Sequence, residues 1–584
     1  MATDVRAVCG RSLALACRGG DRSQQCHNTD TSKKYFRRKT RETKLCCSFL
    51  SCQFHGRVSS VSAVHNLYQP GFSKGRSTSP VITMKALAEQ MFTEEDLTDK
   101  GEDGVLIGTD ENFLNEEEKV QYSWETEWYP LYLTDEIPRE APLALKVFDR
   151  SLVLFYDGDG NLTCLEDRCP HRLAKLSEGQ IIDGAIECLY HGWQFRGDGT
   201  CSKLPQLLPG AKIPKQACAR SYAIKDSQGV VWVWMAEKST ADETKLPWFK
   251  HFELENFSNI STIHEMPYDY SILLENLLDP AHIPISHDRT DPTARREEAQ
   301  ALEFTVTERT SRGFAGTWNS IGRPELVAEL RFQAPCVISN DVLRKHPKDG
   351  VPEQISSLLL CRPAGQGKSM LIARFGLENL LKRNPQLSIF PPWLIHKTSC
   401  TVLEQDMGFL SSQNEVLCKE NRPTKDLYLN MRSQDTWVLE LRKWMDKVGH
   451  GMPYYWGHRT VSTSATSALE EGAPAGLVAS TSASFPSQGA LGSMFAREPT
   501  HRYFRHFVHC KECRKGLRFF QRGRDVTLAM AALSAGLALG VFFRSSFWRA
   551  FFVAFALLLC AASWACSRAT GVLTKSYFRK HRFS

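Results

Sequence analysis

Cys169-Pro170-His171 is followed, after sixteen residues, by Cys188-Leu189-Tyr190-His191, so the chain offers two thiols and two imidazoles in paired order. Such a set suits a Rieske [2Fe–2S] centre. Two thiolates hold one iron and two imidazoles the other, which raises the reduction potential above that of an all-cysteine plant-type cluster. A centre of this kind takes electrons readily from a ferredoxin. Zinc also accepts two Cys and two His. Zinc fingers, however, group cysteine with cysteine and histidine with histidine, whereas here each half brings one of each and can serve both irons. Pro170 and Gly192 suit the turns at the loop tips.

A second constellation runs from Glu275 to His287. Glu275, Asp279 and His282 stand at i, i+4 and i+7, so they would share one helical face. Asn276 lies beside them, and Glu275, Asn276 and Asp279 are the candidate catalytic residues. His287 falls off that face, because five residues advance an ideal helix by roughly 140°. Both imidazoles therefore reach one metal only where the helix breaks, and Pro284, lacking a backbone donor, is the expected breaker. Two histidines with one carboxylate and open positions describe a mononuclear non-haem Fe(II) site for dioxygen. The carboxylate must come from elsewhere. Glu404 and Asp406 both qualify, and spacing does not choose between them.

These residues need elements to hold them. At 584 residues the chain exceeds one compact core. Order is expected from Trp124, and short apolar runs such as Leu152–Tyr156 and Val230–Met235, separated by Asp-Gly and Gly-Asn turns, predict a β domain over 122–240. Mixed patterns predict an α+β catalytic domain with an antiparallel sheet over 241–456, with helices near Ser271–Ala281 and Val402–Lys419. Residues 457–500, rich in Ser, Ala and Gly, read as a linker. The first 84 residues carry 14 Lys and Arg against 4 Asp and Glu, so the formal +7 of the chain becomes −3 over the rest. That removes any general basic field for nucleic acid. Residues 1–84 read as an organellar transit peptide, and 85–121 as an acidic flexible leader. Six of the 19 cysteines fall in the transit segment, and the others show no secreted-domain spacing, so free thiols in a reducing compartment are expected.

Near the C-terminus a basic segment, 501–524, precedes two apolar runs, Val526–Phe543 and Phe547–Ala565, which predict two membrane helices over 525–568. A basic tail, 569–584, follows. Positive charge on both flanks keeps both ends on one side. Gly536 and Gly540 suit close helix packing. Cys510 and Cys513 form a C-x2-C pair with three readings: a thioredoxin-like switch, half a zinc site with His506 and His509, or two idle thiols.

Cys-Pro-His-Arg at 169–172, Cys-Leu-Tyr-His-Gly-Trp at 188–193 and the run from Glu275 to Asp288 together resemble the chloroplast Rieske oxygenases of the pheophorbide a oxygenase family. Glu404–Glu415 and Trp444–Tyr454 are similar to its protochlorophyllide-dependent translocon branch. The resemblance covers the chain from about Trp124 onward. It implies that Asp406, not Glu404, joins His282 and His287 on iron. It implies that Asp279 passes an electron from the cluster of a neighbouring subunit, in a head-to-tail homotrimer, and that Asn276 orients the ligands. It also implies ferredoxin as donor, dioxygen as co-substrate, and a chlorophyllide, protochlorophyllide or pheophorbide as substrate. The expected location is the stromal face of the inner envelope or thylakoid membrane. Cys510 and Cys513 match the same branch and would answer to thioredoxin. The competing implied role is a redox or scaffold subunit of the inner-envelope import translocon.

Overall fold

The computed structural model describes residues 122–254, 257–291, 294–345, 350, 352–378, 390–420, 422–453, 501–540 and 545–576. The expected transit peptide, leader and linker lie outside the described residues, as do positions 577–584 of the basic tail.

Ten short strands come first: β1 (Trp128–Leu133), β2 (Leu143–Val147), β3 (Arg150–Tyr156), β4 (Leu162–Glu166), β5 (Gln180–Ile182), β6 (Ala185–Cys188), β7 (Trp193–Phe195), β8 (Cys201–Lys203), β9 (Ile224–Ser227) and β10 (Val230–Trp234). They form three antiparallel sheets, in the orders β1-β10-β9, β2-β3-β4 and β5-β6-β7-β8. Every residue of β1 and β10 is buried. Their aromatic and β-branched runs lack polar alternation, as a strand covered on both faces requires. They join the core of the following domain, where Tyr129 and Trp232 share one apolar cluster with Ile263, Leu273 and Leu360. The β5–β8 sheet has a small core of its own around Phe155, Leu165, Ile186 and Phe195.

The second domain is a seven-stranded antiparallel sheet, ordered β11-β17-β16-β15-β14-β13-β12. Its strands are β11 (Phe257–Met266), β12 (Leu302–Thr310), β13 (Gly313–Ser320), β14 (Arg323–Gln333), β15 (Val337–Lys345), β16 (Pro352–Gly365) and β17 (Lys368–Glu378). Hairpins link β12 to β17 in sequence, and β11 closes the order beside β17. The helices α1 (Tyr270–Leu278), α2 (Ile283–Ser286), α3 (Pro392–Glu420) and α4 (Thr436–Lys447) accompany this sheet. This is the expected α+β arrangement of a Rieske β domain followed by an antiparallel catalytic sheet.

Two helix boundaries differ from expectation for readable reasons. The expected helix over Ser271–Ala281 stops at Leu278, because Pro280 restricts the residue before it, and Asp279 turns extended (φ −99°, ψ 97°). Pro284 is not the breaker. It lies in the first turn of α2, where a missing N–H costs nothing, with His282 and His287 flanking that helix. The helix expected from Val402 begins ten residues earlier, at Pro392.

The C-terminal part contains α5 (Arg502–Arg505), α6 (Lys511–Leu539) and α7 (Ser546–Thr574). The basic segment is not a separate element: α6 starts at Lys511 and carries the C-x2-C pair and the first apolar run in one helix. Ala531, Ser534 and Ala538 are buried on α6, and Ala556 and Ser563 on α7. Small residues let two helices approach closely, and Ser534 Oγ donates to Phe552 O at 2.9 Å while Ser563 Oγ donates to Arg524 O at 3.1 Å. Gly536 takes no part, since a Cβ there would meet nothing within 4 Å. Among the described residues one helix, α7, is long and apolar enough to cross a membrane, with mean hydropathy 2.1 over its most apolar window.

Candidate functional site

The cysteine loops grow out of the β5–β8 sheet and its neighbour. Cys169 follows β4, and Cys188 ends β6. Both cysteines are 2 % exposed and belong to the small core. His171 is exposed and His191 partly so. The loops bend tightly: Leu173 N–H donates to Cys169 O at 2.9 Å and Gly192 N–H to Cys188 O at 2.8 Å. Gly192, with φ +75°, takes the left-handed conformation that this turn needs. Asp167 braces the first loop by accepting from both the N–H and the hydroxyl of Ser177, each at 2.7 Å. The rings of His171 and His191 stand 4.5 Å apart, and His171 stacks on Trp193 at 4.6 Å.

This donor set fits a [2Fe–2S] cluster with its sulfur side inward and its imidazole side toward solvent. Burial pushes the Cys169 thiol up to about 11, and neighbouring Cys188 adds to the rise. Bound metal would hold both as thiolates. Around the imidazole edge Leu173, Leu189 and Tyr190 are all more than half exposed.

The second site joins two elements. His282 and His287 bracket α2, and Asp406 comes from the middle of α3. His282 Nε2 lies 3.6 Å and His287 Nε2 3.1 Å from Asp406 Oδ2, with the two rings 5.3 Å apart. Ligand atoms about 2.1 Å from one metal lie about 3.0–3.5 Å from one another, and these two edges, with all three atoms within 4.8 Å of one another, come close to one face of a coordination sphere. The other nitrogens are steered from behind. His282 Nδ1 lies 3.4 Å from Asp279 Oδ2, and His287 Nδ1 faces Gln405 Oε1 at 3.0 Å. Burial disfavours the charged imidazole, yet Asp279 and Asp406 outweigh it and push His282 up to about 10. Burial likewise opposes the charge on Asp406, yet the two histidines draw its carboxyl down to about 2.

Asn276 Nδ2 approaches His282 Nε2 at 3.5 Å. Glu275 is engaged elsewhere: Arg442 Nε donates to Oε1 at 2.5 Å and Tyr428 OH to Oε2 at 3.2 Å, which ties α1 to α4. Glu404 faces away from the histidines. It takes a bidentate pair from Arg502 at 2.7 and 2.6 Å, and a further bond from Arg505. Geometry thus separates the two carboxylates that spacing left open. Cys510 and Cys513 lie against His396 and His506 instead. Gln405 escaped the sequence reading, although its place beside Asp406 in the same motif was a signal.

A cleft of about 360 Å³ opens beside His282 and Asp406, lined also by Asn276, Asp279, Phe409 and Leu429 among others. Phe409 is 48 % and Leu429 73 % exposed at this cleft.

A β domain with paired Cys and His loops, fused to an antiparallel domain with a His–His–Asp site, defines a Rieske non-haem iron oxygenase. Residues 127–218 match the Rieske [2Fe–2S] domain family, and residues 332–424 match the pheophorbide a oxygenase family. The chain is 55 % identical over 491 residues to the chloroplastic protein TIC 55 of Arabidopsis thaliana, covering 83 % of this chain and 89 % of that one. It is 31 % identical over 457 residues to the chloroplastic pheophorbide a oxygenase of Oryza sativa subsp. japonica, covering 73 % and 79 %. A crystal structure of dicamba monooxygenase with bound dicamba superposes with a TM-score of 0.48 at 20 % identity, covering 56 % of this chain and 98 % of that one. The chain belongs to the family of Rieske oxygenases that includes TIC 55 and pheophorbide a oxygenase. It is an oxidoreductase that incorporates oxygen, with a Rieske [2Fe–2S] cluster and a mononuclear non-haem iron as cofactors.

Proposed function

We propose that this oxygenase uses ferredoxin electrons and dioxygen to oxidise a chlorophyll-related tetrapyrrole, a chlorophyllide, protochlorophyllide or pheophorbide, at a chloroplast membrane. The cleft carries this reading: His282 and Asp406 line it, and so do the half-exposed Phe409 and the largely exposed Leu429, surfaces suited to a flat apolar macrocycle. Relatives of the chain that bear chlorophyll-related names support the substrate class.

When bound, the cluster supplies electrons singly and the iron activates dioxygen. The chain's residues do the rest. Cys169 and Cys188 anchor the cluster in the small core, and His171 and His191 present it at a surface framed by Leu173, Leu189 and Tyr190. Asp279, 26 % exposed at its side chain and 3.4 Å from His282 Nδ1, would pass electrons from the histidine edge of another subunit. That role favours a head-to-tail homotrimer. Asn276 and Gln413 offer amide groups to polar substituents of the substrate. The exposed apolar faces of α6 and α7 support anchoring by the hairpin, with the catalytic domains on the stromal side.

Oxygen uptake by purified full-length protein, given reduced ferredoxin and each tetrapyrrole in turn, tests this. Uptake with one of them, and a product one oxygen atom heavier, is the expected outcome. Full iron loading without uptake on any tetrapyrrole would transfer the case to the scaffold role in the import translocon.

A further inference from the structure

Away from both iron sites, four more metal-ligating side chains converge. His396 comes from the start of α3, His506 from the turn after α5, and Cys510 and Cys513 from the beginning of α6. Their ligand atoms all lie within 4.8 Å of one another, and all four residues are buried. Three of the internal distances come close to the edges of a small tetrahedron. His506 Nε2 stands 3.2 Å from Cys513 Sγ, while His396 Nδ1 stands 3.4 Å from Cys510 Sγ and 3.5 Å from Cys513 Sγ. Zinc bonds of about 2.3 Å to sulfur and about 2.0–2.1 Å to nitrogen, at tetrahedral angles, give sulfur-to-nitrogen edges of about 3.6 Å.

The surroundings prepare the ligands. His506 Nδ1 faces Ile263 O at 2.8 Å, so an N–H there would leave the Nε2 lone pair turned toward the cysteines. Cys513 N–H points at Cys510 Sγ at 3.5 Å, a contact that supports a thiolate at the head of a helix. Two thiolates cancel the charge of a zinc ion, which makes a neutral complex suited to a dry interior. No ligand is open to solvent, as in a closed structural site rather than a catalytic one. His509, adjacent in sequence, is directed elsewhere. Its Nδ1 bonds Tyr132 OH at 2.8 Å, and its Nε2 lies 2.9 Å from Glu265 Oε1. The missing partner of the C-x2-C pair is therefore His396, more than a hundred residues upstream.

We propose that His396, His506, Cys510 and Cys513 bind one structural zinc ion, which fastens the C-terminal helical hairpin to the helix that carries Asp406.

Elemental analysis of the full chain, purified in detergent from zinc-supplemented cells, should find about one zinc beside the iron. X-ray absorption at the zinc edge should show two sulfur and two nitrogen neighbours. Because the Rieske ligands are also two Cys and two His, a Cys188→Ser variant serves as control: it should lose the cluster signal and keep the zinc. The pair Cys510→Ser with Cys513→Ser, and separately His396→Gln, should lose at least four-fifths of the zinc while keeping the cluster's electron paramagnetic resonance signal. His509→Gln should keep the zinc. Wild-type protein without zinc, with iron in its place, or with a Cys510–Cys513 disulfide as isolated would overturn the proposal, and so would zinc that disappears in Cys188→Ser. Should the cysteine and His396 variants not fold, the wild-type absorption spectrum with the Cys188→Ser control still decides.

Discussion

Gln405 spans two supports with one amide: its oxygen faces His287 Nδ1 at 3.0 Å and its nitrogen donates to Thr290 Oγ1 at 2.9 Å. An acceptor on Nδ1 selects the tautomer whose Nε2 is free for metal. Gln405→Leu keeps the bulk and removes the acceptor, so iron should bind about 10–100-fold more weakly. Titration of the apo-protein with ferrous iron measures this, and unchanged affinity would deny Gln405 its orienting part. Asp279 makes a different claim. Asp279→Asn, which keeps an acceptor beside His282 Nδ1, should leave cluster and mononuclear iron at wild-type content, yet reduce ferredoxin-driven turnover by more than tenfold. Single-turnover assays with the cluster pre-reduced would expose the lost transfer, and normal transfer would end the relay.

Among the elements, the junction of α1 and α2 is set by Pro280. With Asp279 held extended, the chain leaves α1 and brings His282 Nε2 to within 3.6 Å of Asp406 Oδ2. Pro280→Ala frees Asp279 to continue the helix, which would rotate His282 away. The expected result is several-fold lower mononuclear iron content with the cluster intact, read by metal analysis and by the cluster's absorbance. The candidate ligands stood out in the sequence because spacing within a loop or a helical turn is local. Cys169, His171, Cys188, His191, His282 and His287 could all be named from it. The site of the break was less legible, because either Pro280 or Pro284 could end a helix, and only the backbone tells a first-turn proline from a stop. The early start of α3 was hidden too. Trp393 to Thr401 mixes apolar, basic and β-branched residues without clear periodicity, and its role depends on partners brought from residues 501–513. Contacts across such separations leave no period to read.

At the scale of the molecule, α3 is shared property. Asp406 faces the catalytic histidines, while Glu404, two residues earlier, is locked to Arg502 and Arg505 of α5. A buried carboxylate with two guanidinium partners costs several kcal/mol to strip of them, so the C-terminal part helps to seat the helix that completes the iron site. A chain ended at residue 456 should therefore keep its cluster, whose ligands all precede the cut, and lose most of its mononuclear iron. Equal iron in the shortened chain would show that α3 seats itself. The Glu404 pairing also imposes an order in time. Arg502 and Arg505 lie about a hundred residues downstream of Glu404, so a nascent chain can fold its cluster domain well before these two arginines reach α3. The seat of Asp406 would then be finished after the seat of the cluster, and electrons would find their entry port built before their destination.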